Sequence, residues 1–224
     1  MQNNEQSSDK KMILSGKVHE SLEDPLSALF YDISDSVSPF LYDIGITPNV
    51  ITTFRMMLII FVFTYYFNVQ SYNIAAIIYI VAYFGDCLDG HMARKYNMET
   101  NIGDYYDHIV DTVSTIITLY FISMNMSKNY TWILLIIYML LFFSIVQLGC
   151  QEKYLENTNN VNKINSNSLK LTQYLCPSDS NNNNTENIMR FAKYFGVGTY
   201  MFVVTIVIWN FKYFIDQKYI QKIE

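Results

Sequence analysis

Charged side chains are scarce in this chain of 224 residues, at 16% of the total, against about 25% in an ordinary soluble domain. Because 51% of the residues are hydrophobic, the composition excludes a disordered chain, which would be polar and charge-rich. Cysteine is also scarce, which excludes a disulfide scaffold; we expect Cys87, Cys150 and Cys176 to be reduced and to bind no metal. Basic residues number only 15 against 20 acidic ones, so no broad nucleic-acid-binding surface is expected.

The apolar residues are concentrated in blocks, several of which reach the ~20 residues that span the hydrocarbon core of a bilayer. The five blocks are Asn49–Val69, Asn73–Leu88, Ile109–Met124, Tyr130–Leu148 and Phe195–Ile215. Five such blocks leave too little polar sequence to cover them in water, which argues against a soluble protein with buried core helices. The sequence therefore predicts an all-α, polytopic membrane helix bundle with five to six transmembrane helices.

Three parts of the chain differ in composition. Residues 1–28 form a polar tail without the apolar stretch of a cleavable signal peptide. Residues 29–46 mix apolar and acidic side chains and predict an N-terminal amphipathic helix in the membrane interface, with a plain soluble helix as the alternative. Residues 47–224 form the membrane domain, with an Asn-rich polar insert at about 150–190 that is typical of a solvated loop.

Lysine and arginine predict the orientation of the chain, because they are enriched in cytosolic loops. They occur in the N-terminal tail, around Arg94 and in the polar insert, whereas residues 70–72 contain none. The acidic segment near Arg94 should therefore face the cytosol. Five crossings would place the C-terminus outside, but the lysines near it favour the inside, so a sixth crossing between Leu169 and Tyr200 is the alternative.

Four aspartates near the second and third blocks have helical spacing. Asp86 and Asp89 are three residues apart and share a face of one helix. Gly103, Asp107 and Asp111 are four residues apart and share a face of the next helix. Since a short turn joins the two helices, they should be antiparallel neighbours, and the four carboxylates can converge.

Carboxylates gathered at a membrane boundary repel one another and are costly to desolvate. Bound divalent cations remove both costs, and ligation by oxygen alone favours Mg²⁺ or Mn²⁺. Gly90 and Gly103 leave room for a close approach of helices or ligand, and Arg94 offers a donor fork for phosphate. An acidic turn with helix-capping aspartates is the alternative, but it explains only single residues and not the whole spaced set.

The complete pattern from Asp86 to Asp111 is Asp-x2-Asp-Gly-x2-Ala-Arg-x8-Gly-x3-Asp-x3-Asp. At every position it resembles the signature of the CDP-alcohol phosphotransferases. The segment 47–52, Thr-Pro-Asn-Val-Ile-Thr, is similar to the Pro-Asn-x-x-Thr stretch that opens the first membrane helix in that family. Together these likenesses cover about residues 40–125.

The resemblance implies a multi-pass membrane enzyme of phospholipid synthesis that joins a CDP-linked donor to an alcohol acceptor and releases CMP. At least one of the two substrates would be a membrane lipid, and the assembly could be a homodimer. The metal ligands implied by the family are Asp86, Asp89, Asp107 and Asp111, with Asp111 also the general base. The substrate-binding residues implied by the family are Asn49, Thr52, Gly90, Ala93, Arg94 and Thr100.

Two chemistries of the family stay open, namely CDP-diacylglycerol with a small polar alcohol, or CDP-choline or CDP-ethanolamine with diacylglycerol. The stretch 106–111, Tyr-Asp-His-Ile-Val-Asp, resembles the second group, whereas the short chain and Arg55 resemble the first. We expect Arg55 to face the polar site, with snorkelling to the membrane surface as the alternative. We place His108 near the acceptor, with simple packing as its alternative.

Two other functions compete with the enzyme. An inactive membrane scaffold of the same fold would have lost an aspartate or Arg94, and none is missing. A divalent-cation transporter would spread its acidic residues along a pore, whereas here they cluster at the ends of two helices.

Overall fold

The structure is a computed structural model that describes residues 18–157, 169–177 and 182–215. In these ranges the chain is helical apart from turns and one isolated β-bridge between Met126 and Ile215, which confirms the all-α prediction. Most of the polar N-terminal tail lies outside the described residues, as do residues 158–168 and 178–181 of the Asn-rich insert.

The first long helix, α1, runs over Pro25–Asp43 and begins four residues before its predicted start. Asp24 explains the difference, because its Oδ1 accepts hydrogen bonds from the backbone N–H of Leu26 at 2.9 Å and of Ser27 at 3.2 Å. Pro25 takes the first helical position, where a missing N–H has no cost. The position of α1 in a membrane interface stays a prediction.

The other helices are α2 (Pro48–Phe61, continued by a π-helical turn over Val62–Tyr66), α3 (Tyr72–Lys95), α4 (Asn101–Asn125), α5 (Thr131–Asn157), α6 (Asn182–Ala192), α7 (Val197–Trp209) and α8 (Phe211–Phe214). The five predicted apolar blocks lie in helices, but the prediction of a solvated loop at about 150–190 is wrong for its described parts, which contain the end of α5, a 3₁₀ helix and most of α6. α2 packs on both α3 and α4, and α7 packs on α3 and α5. The buried core lies where these helices meet, with Phe63, Ile122, Ile137, Tyr200 and Ile208 at its centre.

Four stretches of helix are long and apolar enough to cross a membrane. They are Pro48–Tyr66, Tyr72–Lys95, Lys128–Glu156 and Asn184–Trp209. α4 has a similar length of 25 residues, but its first half carries three aspartates that lower its hydropathy. Large apolar side chains such as Phe54, Ile116 and Leu135 are more than half exposed, as expected for a surface that faces lipid.

The segment that could have hidden a sixth crossing contains only short helices in its described residues. A 3₁₀ helix spans Lys170–Leu175, and α6 has 11 residues, about 16 Å, before it leads into α7. α8 ends beside the α4–α5 connection, where the N–H of Ser127 donates to the Phe214 carbonyl at 2.8 Å. The described chain therefore ends at the side of the bundle opposite to the α3–α4 turn.

The prediction that all cysteines are reduced is wrong for two of them. Cys150 on α5 forms a disulfide with Cys176, 26 residues later, while Cys87 is free and buried. The disulfide fastens the 3₁₀ helix to α5. Gly149 permits the contact, since a Cβ there would lie 2.1 Å from the carbonyl oxygen of Thr172.

Candidate active site

The four aspartates of the motif converge around the guanidinium group of Arg55, which α2 supplies. Nη1 lies 2.6 Å from Asp86 Oδ1 and also contacts Asp111 Oδ1. Nη2 lies 2.6 Å from Asp107 Oδ1 and 3.9 Å from Asp89 Oδ2. The Arg55 side chain is only 5% exposed, so it faces the polar site as expected, and the snorkelling alternative is wrong.

The first turns of α2 bring three polar side chains to the same place. Pro48 starts the helix, and Asn49, Thr52 and Arg55 follow at intervals of three residues, which places them on one face. The Thr52 hydroxyl donates to Asp89 Oδ2 at 2.6 Å. Thr52 thus orients a carboxylate of the cluster in addition to lining the cavity beside it.

The aspartate cluster fits a divalent metal. Carboxylate oxygens of Asp86, Asp89 and Asp107 lie within 4.8 Å of one another, and Asp111 contacts the same guanidinium nitrogen as Asp86. The donors are all oxygen, which suits Mg²⁺ or Mn²⁺. The single positive charge of Arg55 cannot balance four ionised carboxylates, so the residues present have the charge to hold divalent cations.

The glycines of the motif allow two close approaches. A Cβ on Gly103 would lie 2.9 Å from Thr100 Oγ1 and 3.2 Å from Asn49 Oδ1. Thr100 is held there because its Oγ1 accepts from the Gly103 N–H at 3.0 Å and caps α4. A Cβ on Gly90 would lie 3.2 Å from Arg94 Nη1, so Gly90 leaves space for that guanidinium.

A first cavity of about 110 Å³ opens beside Asp89 and Asp107. All six residues expected to bind substrate line it, namely Asn49, Thr52, Gly90, Ala93, Arg94 and Thr100. Arg94 Nη2 is buried and has no hydrogen-bond partner among the described residues. A buried guanidinium N–H without a partner is costly, and a phosphate oxygen is the acceptor that it matches best.

A second cavity of about 130 Å³ is lined by Asp86, Asp107 and Asp111 of the cluster. Four polar residues that were not predicted as site residues also line it, and we call them its second wall: Glu23, Tyr31, Gln147 and Gln151. Arg94 and His108 border both cavities. The two cavities therefore meet at the carboxylates.

Only part of this second wall could have been found from sequence. Gln147 and Gln151 are four residues apart near the end of an apolar block, and that spacing places two amides on one helix face. Glu23 gives no comparable signal, because it lies in the polar stretch before α1. Its carboxylate accepts from Gln151 Nε2 at 3.1 Å, and burial raises the pKa of Glu23 above its ordinary value.

The fold and the site together define an integral membrane helix bundle with a carboxylate cluster suited to divalent metals at one end. The chain belongs to the CDP-alcohol phosphatidyltransferase family, whose model matches residues 45–210. The resemblance seen in the motif is thereby confirmed.

Two curated proteins illustrate the likeness, and both are named CDP-diacylglycerol–glycerol-3-phosphate 3-phosphatidyltransferase. The protein of Rickettsia typhi is 36% identical over 66 residues, which cover 29% of this chain and 37% of the relative. The protein of Escherichia coli K12 is 38% identical over 74 residues, which cover 32% of this chain and 41% of the relative. The chain thus spans about two-fifths of the length of the curated relatives it matches. No solved structure matches it.

Proposed function

We propose that this protein transfers the phosphatidyl group of CDP-diacylglycerol to the hydroxyl of a small alcohol and releases CMP. The observation that carries the proposal is the convergence of four aspartates and Arg55 beside two cavities, both bordered by Arg94, whose buried Nη2 has no hydrogen-bond partner among the described residues. The names of the similar proteins contain CDP-diacylglycerol, which favours this donor over CDP-choline or CDP-ethanolamine.

The first cavity would receive the nucleotide end of the donor. Arg94 would donate to a diphosphate oxygen, and Gly90 and Ala93 would leave room beside it. Asn49 and Thr100 line the same cavity and would contact the nucleotide. The diphosphate would then lie against the carboxylate cluster, with the diacylglycerol chains directed toward the lipid.

The second cavity would receive the alcohol, next to Asp111. The acceptor oxygen forms a bond to the phosphorus that carries diacylglycerol, and the bond from that phosphorus to the oxygen of the CMP phosphate breaks. CMP leaves with the electron pair, and the hydroxyl proton passes to the Asp111 carboxylate. Asp86 and Asp107 form the cavity wall beside this carboxylate.

The metal would be held by Asp86, Asp89, Asp107 and Asp111. When bound, Mg²⁺ or Mn²⁺ neutralises the charge that develops on the diphosphate as CMP leaves. Thr52 would hold Asp89 in position through its hydrogen bond. The Lys and Arg content near the α3–α4 turn supports a site that faces the cytosol.

Release of CMP tests the function directly. Purified protein in detergent should release CMP from CDP-diacylglycerol with Mg²⁺ or Mn²⁺ and an alcohol, and chelation should stop the release. Asp111→Asn should reduce turnover at least ~100-fold, within the 10²–10⁴ that a general base contributes, while CDP still protects the variant from thermal unfolding. Asp43→Asn, an exposed carboxylate of α1, is the matched control.

Two results would contradict the proposal at different points. If wild-type protein releases no CMP from any donor and alcohol, the chain is not this enzyme, and the inactive scaffold becomes the better explanation. If Asp111→Asn retains full turnover, another group takes the proton.

A further inference from the structure

The second cavity contains a carboxylate that the transfer reaction does not use. Glu23 is 8% exposed and lines this cavity together with three of the aspartates. Its carboxylate accepts hydrogen bonds from Gln151 Nε2 at 3.1 Å and from the backbone N–H of Asp24 at 3.4 Å. Neither donor carries a charge, and no ion pair to Glu23 is seen among the described residues.

A buried carboxylate that forms no ion pair is unfavourable. Burial raises the pKa of Glu23, although the hydrogen bond from Gln151 and the charge of Arg94 oppose that shift. A ligand with a positive charge would reverse that effect and favour the ionised carboxylate. Glu23 is therefore suited to an ammonium group.

The charges that line the second cavity disfavour an anionic ligand. Glu23 supplies a negative charge in addition to the aspartates, whose charge a bound metal would offset, and Arg94 is the only Lys or Arg among the described lining residues. Arg94 also borders the first cavity, where the donor diphosphate would engage it. A phosphate group on the acceptor would meet Glu23 with no second cation to balance it.

The cavity also offers one donor that lacks a partner. Gln147 is 1% exposed and its Nε2 has no hydrogen-bond partner among the described residues. A buried amide N–H of this kind calls for an oxygen acceptor from a ligand. The wall therefore presents a site for a positive group at Glu23 and a site for an oxygen at Gln147.

From this geometry we propose that the second cavity selects a small amino alcohol, with its ammonium group at Glu23 and an oxygen at Gln147. The inference rests on the proposed function and names the acceptor class for the same site. It departs from the acceptor in the names of the similar proteins, glycerol 3-phosphate. Glu23 and Tyr31 lie before residues 45–210, the range matched by the family model, so family membership does not dictate these two residues.

Acceptor competition tests the inference in the full-length protein. CMP release from CDP-diacylglycerol with Mn²⁺ should be measured with ethanolamine, serine, glycerol, inositol and glycerol 3-phosphate as separate acceptors. We expect kcat/KM to be highest for an amino alcohol. A highest value for glycerol 3-phosphate or for an uncharged polyol would overturn the inference but leave the proposed function intact, whereas no CMP from any acceptor would overturn the function itself.

Glu23→Gln keeps the shape of the side chain and removes its charge. For an amino alcohol it should lower kcat/KM about 10- to 100-fold, the range of a hydrogen bond to a charged group, mainly through KM. For glycerol it should change kcat/KM little. Asp32→Asn, an exposed carboxylate on α1, is the control and should leave both values unchanged. An unaltered ratio between amino alcohol and glycerol in Glu23→Gln would overturn the inference.

A second measurement needs no variant and guards against a Glu23→Gln protein that fails to fold. Propylammonium has the positive group but no hydroxyl, so it should inhibit the wild-type enzyme competitively against the amino alcohol, while propanoate should not. Equal inhibition by both ions, or by neither, would overturn the inference.

The ammonium group could also arrive as part of the donor. CDP-ethanolamine with diacylglycerol distinguishes the two sources. Faster CMP release from that pair than from CDP-diacylglycerol with any alcohol would overturn both the proposed donor and the assignment of an amino alcohol as the acceptor.

Discussion

At the scale of single residues, Asp24 joins two helices with one carboxylate. Its Oδ1 caps α1, and its Oδ2 accepts from the Thr199 backbone N–H at 3.1 Å and from the Thr199 hydroxyl at 2.9 Å in the first turn of α7. The side chain is 1% exposed. A Cβ on Gly198 would lie 2.0 Å from Asp24 Oδ1, so a glycine is needed where the two helices meet.

Asp24→Ala should destabilise the protein strongly. The carboxylate satisfies donors of two helix N-termini, and an N-cap contributes about 1–2 kcal/mol, so we expect the free energy of unfolding to fall by about 2–4 kcal/mol. Thermal unfolding in detergent measures the change. Asp43→Ala removes an exposed acidic residue of α1 and should unfold like the wild type; equal stability of the two variants would contradict the role given to Asp24.

Arg55 is the second residue whose position matters at this scale. It is the common partner of four carboxylates, and removing one partner from a buried ion pair typically costs about 3–5 kcal/mol. In the presence of a chelator, the free energy of unfolding of Arg55→Gln should therefore be about 3–5 kcal/mol lower than that of the wild type. Because divalent cations bind the same carboxylates, Mn²⁺ should raise the melting temperature of the variant more than that of the wild type.

A surface arginine supplies the control for Arg55. Arg190 pairs with Glu186 at 2.8 Å and has a side chain that is 61% exposed, so Arg190→Gln should change neither the stability nor its response to Mn²⁺. The same response to Mn²⁺ in Arg55→Gln and in the wild type would show that the guanidinium and the metal do not share these carboxylates.

At the scale of elements, α2 connects the two acidic helices. α3 and α4 were predicted as antiparallel neighbours joined by a short turn, but they make few direct contacts with each other, and it is α2 that packs on both of them. The carboxylates of α3 and α4 then meet around a side chain of α2 rather than around each other. The position of α2 explains why the Pro-Asn-x-x-Thr segment belongs to the same site as the acidic motif.

The docking of the 3₁₀ helix Lys170–Leu175 on α5 gives a prediction at the same scale. A methyl group at position 149 would meet the Thr172 carbonyl oxygen at 2.1 Å, so Gly149→Ala should separate the two elements. We expect a lower melting temperature and faster alkylation of Cys150 and Cys176 under mild reduction. Mass spectrometry of the alkylated protein measures the second effect.

Gly85→Ala is the matched control for that substitution. A Cβ at position 85 would make only ordinary contacts, at 3.8 Å from Arg55 Cβ. Cys150 and Cys176 of this variant should therefore be alkylated at the wild-type rate. If Gly149→Ala had the wild-type melting temperature and alkylation rate, the 3₁₀ helix Lys170–Leu175 would not depend on its close contact with Gly149.

At the scale of the whole molecule, two features favour opposite orientations in the membrane. The basic residues near the α3–α4 turn favour a cytosolic site. The Cys150–Cys176 disulfide lies at the same end, because Cys150 falls between Gln147 and Gln151 of the second cavity, and disulfides persist in oxidising compartments. Orientation is therefore the property of the whole chain that most needs a measurement.

Labelling of single introduced cysteines in sealed vesicles measures that orientation. Glu99→Cys lies in the α3–α4 turn and Asn129→Cys in the α4–α5 connection, and both positions are exposed. Since α4 separates them, a membrane-impermeant maleimide should reach only one of the two. In right-side-out vesicles a cytosolic site requires that Asn129→Cys is the one labelled; labelling of Glu99→Cys would reverse the predicted orientation, and labelling of both would contradict the path of the chain.

The sequence determined the helices and the acidic cluster, because both depend on short-range periodicity. Apolar blocks long enough to span a bilayer predicted the helices, and spacings of three and four residues placed Asp86, Asp89, Asp107 and Asp111 on facing sides. The start of α1 was predicted four residues late, since the capping role of Asp24 depends on local hydrogen bonds that the apolar pattern does not report.

Only the tertiary structure decided which residues far apart in the sequence come into contact. Arg55 could have snorkelled, Cys150 and Cys176 showed no spacing that paired them, and Glu23 lay in a polar stretch far from Gln151. Each of these contacts joins residues separated by 26 positions or more, and the free energy that selects it comes from packing of whole helices rather than from local propensity. The carboxylate cluster could therefore be predicted from the sequence, whereas the cavity to which we assign the acceptor became visible only in the folded chain.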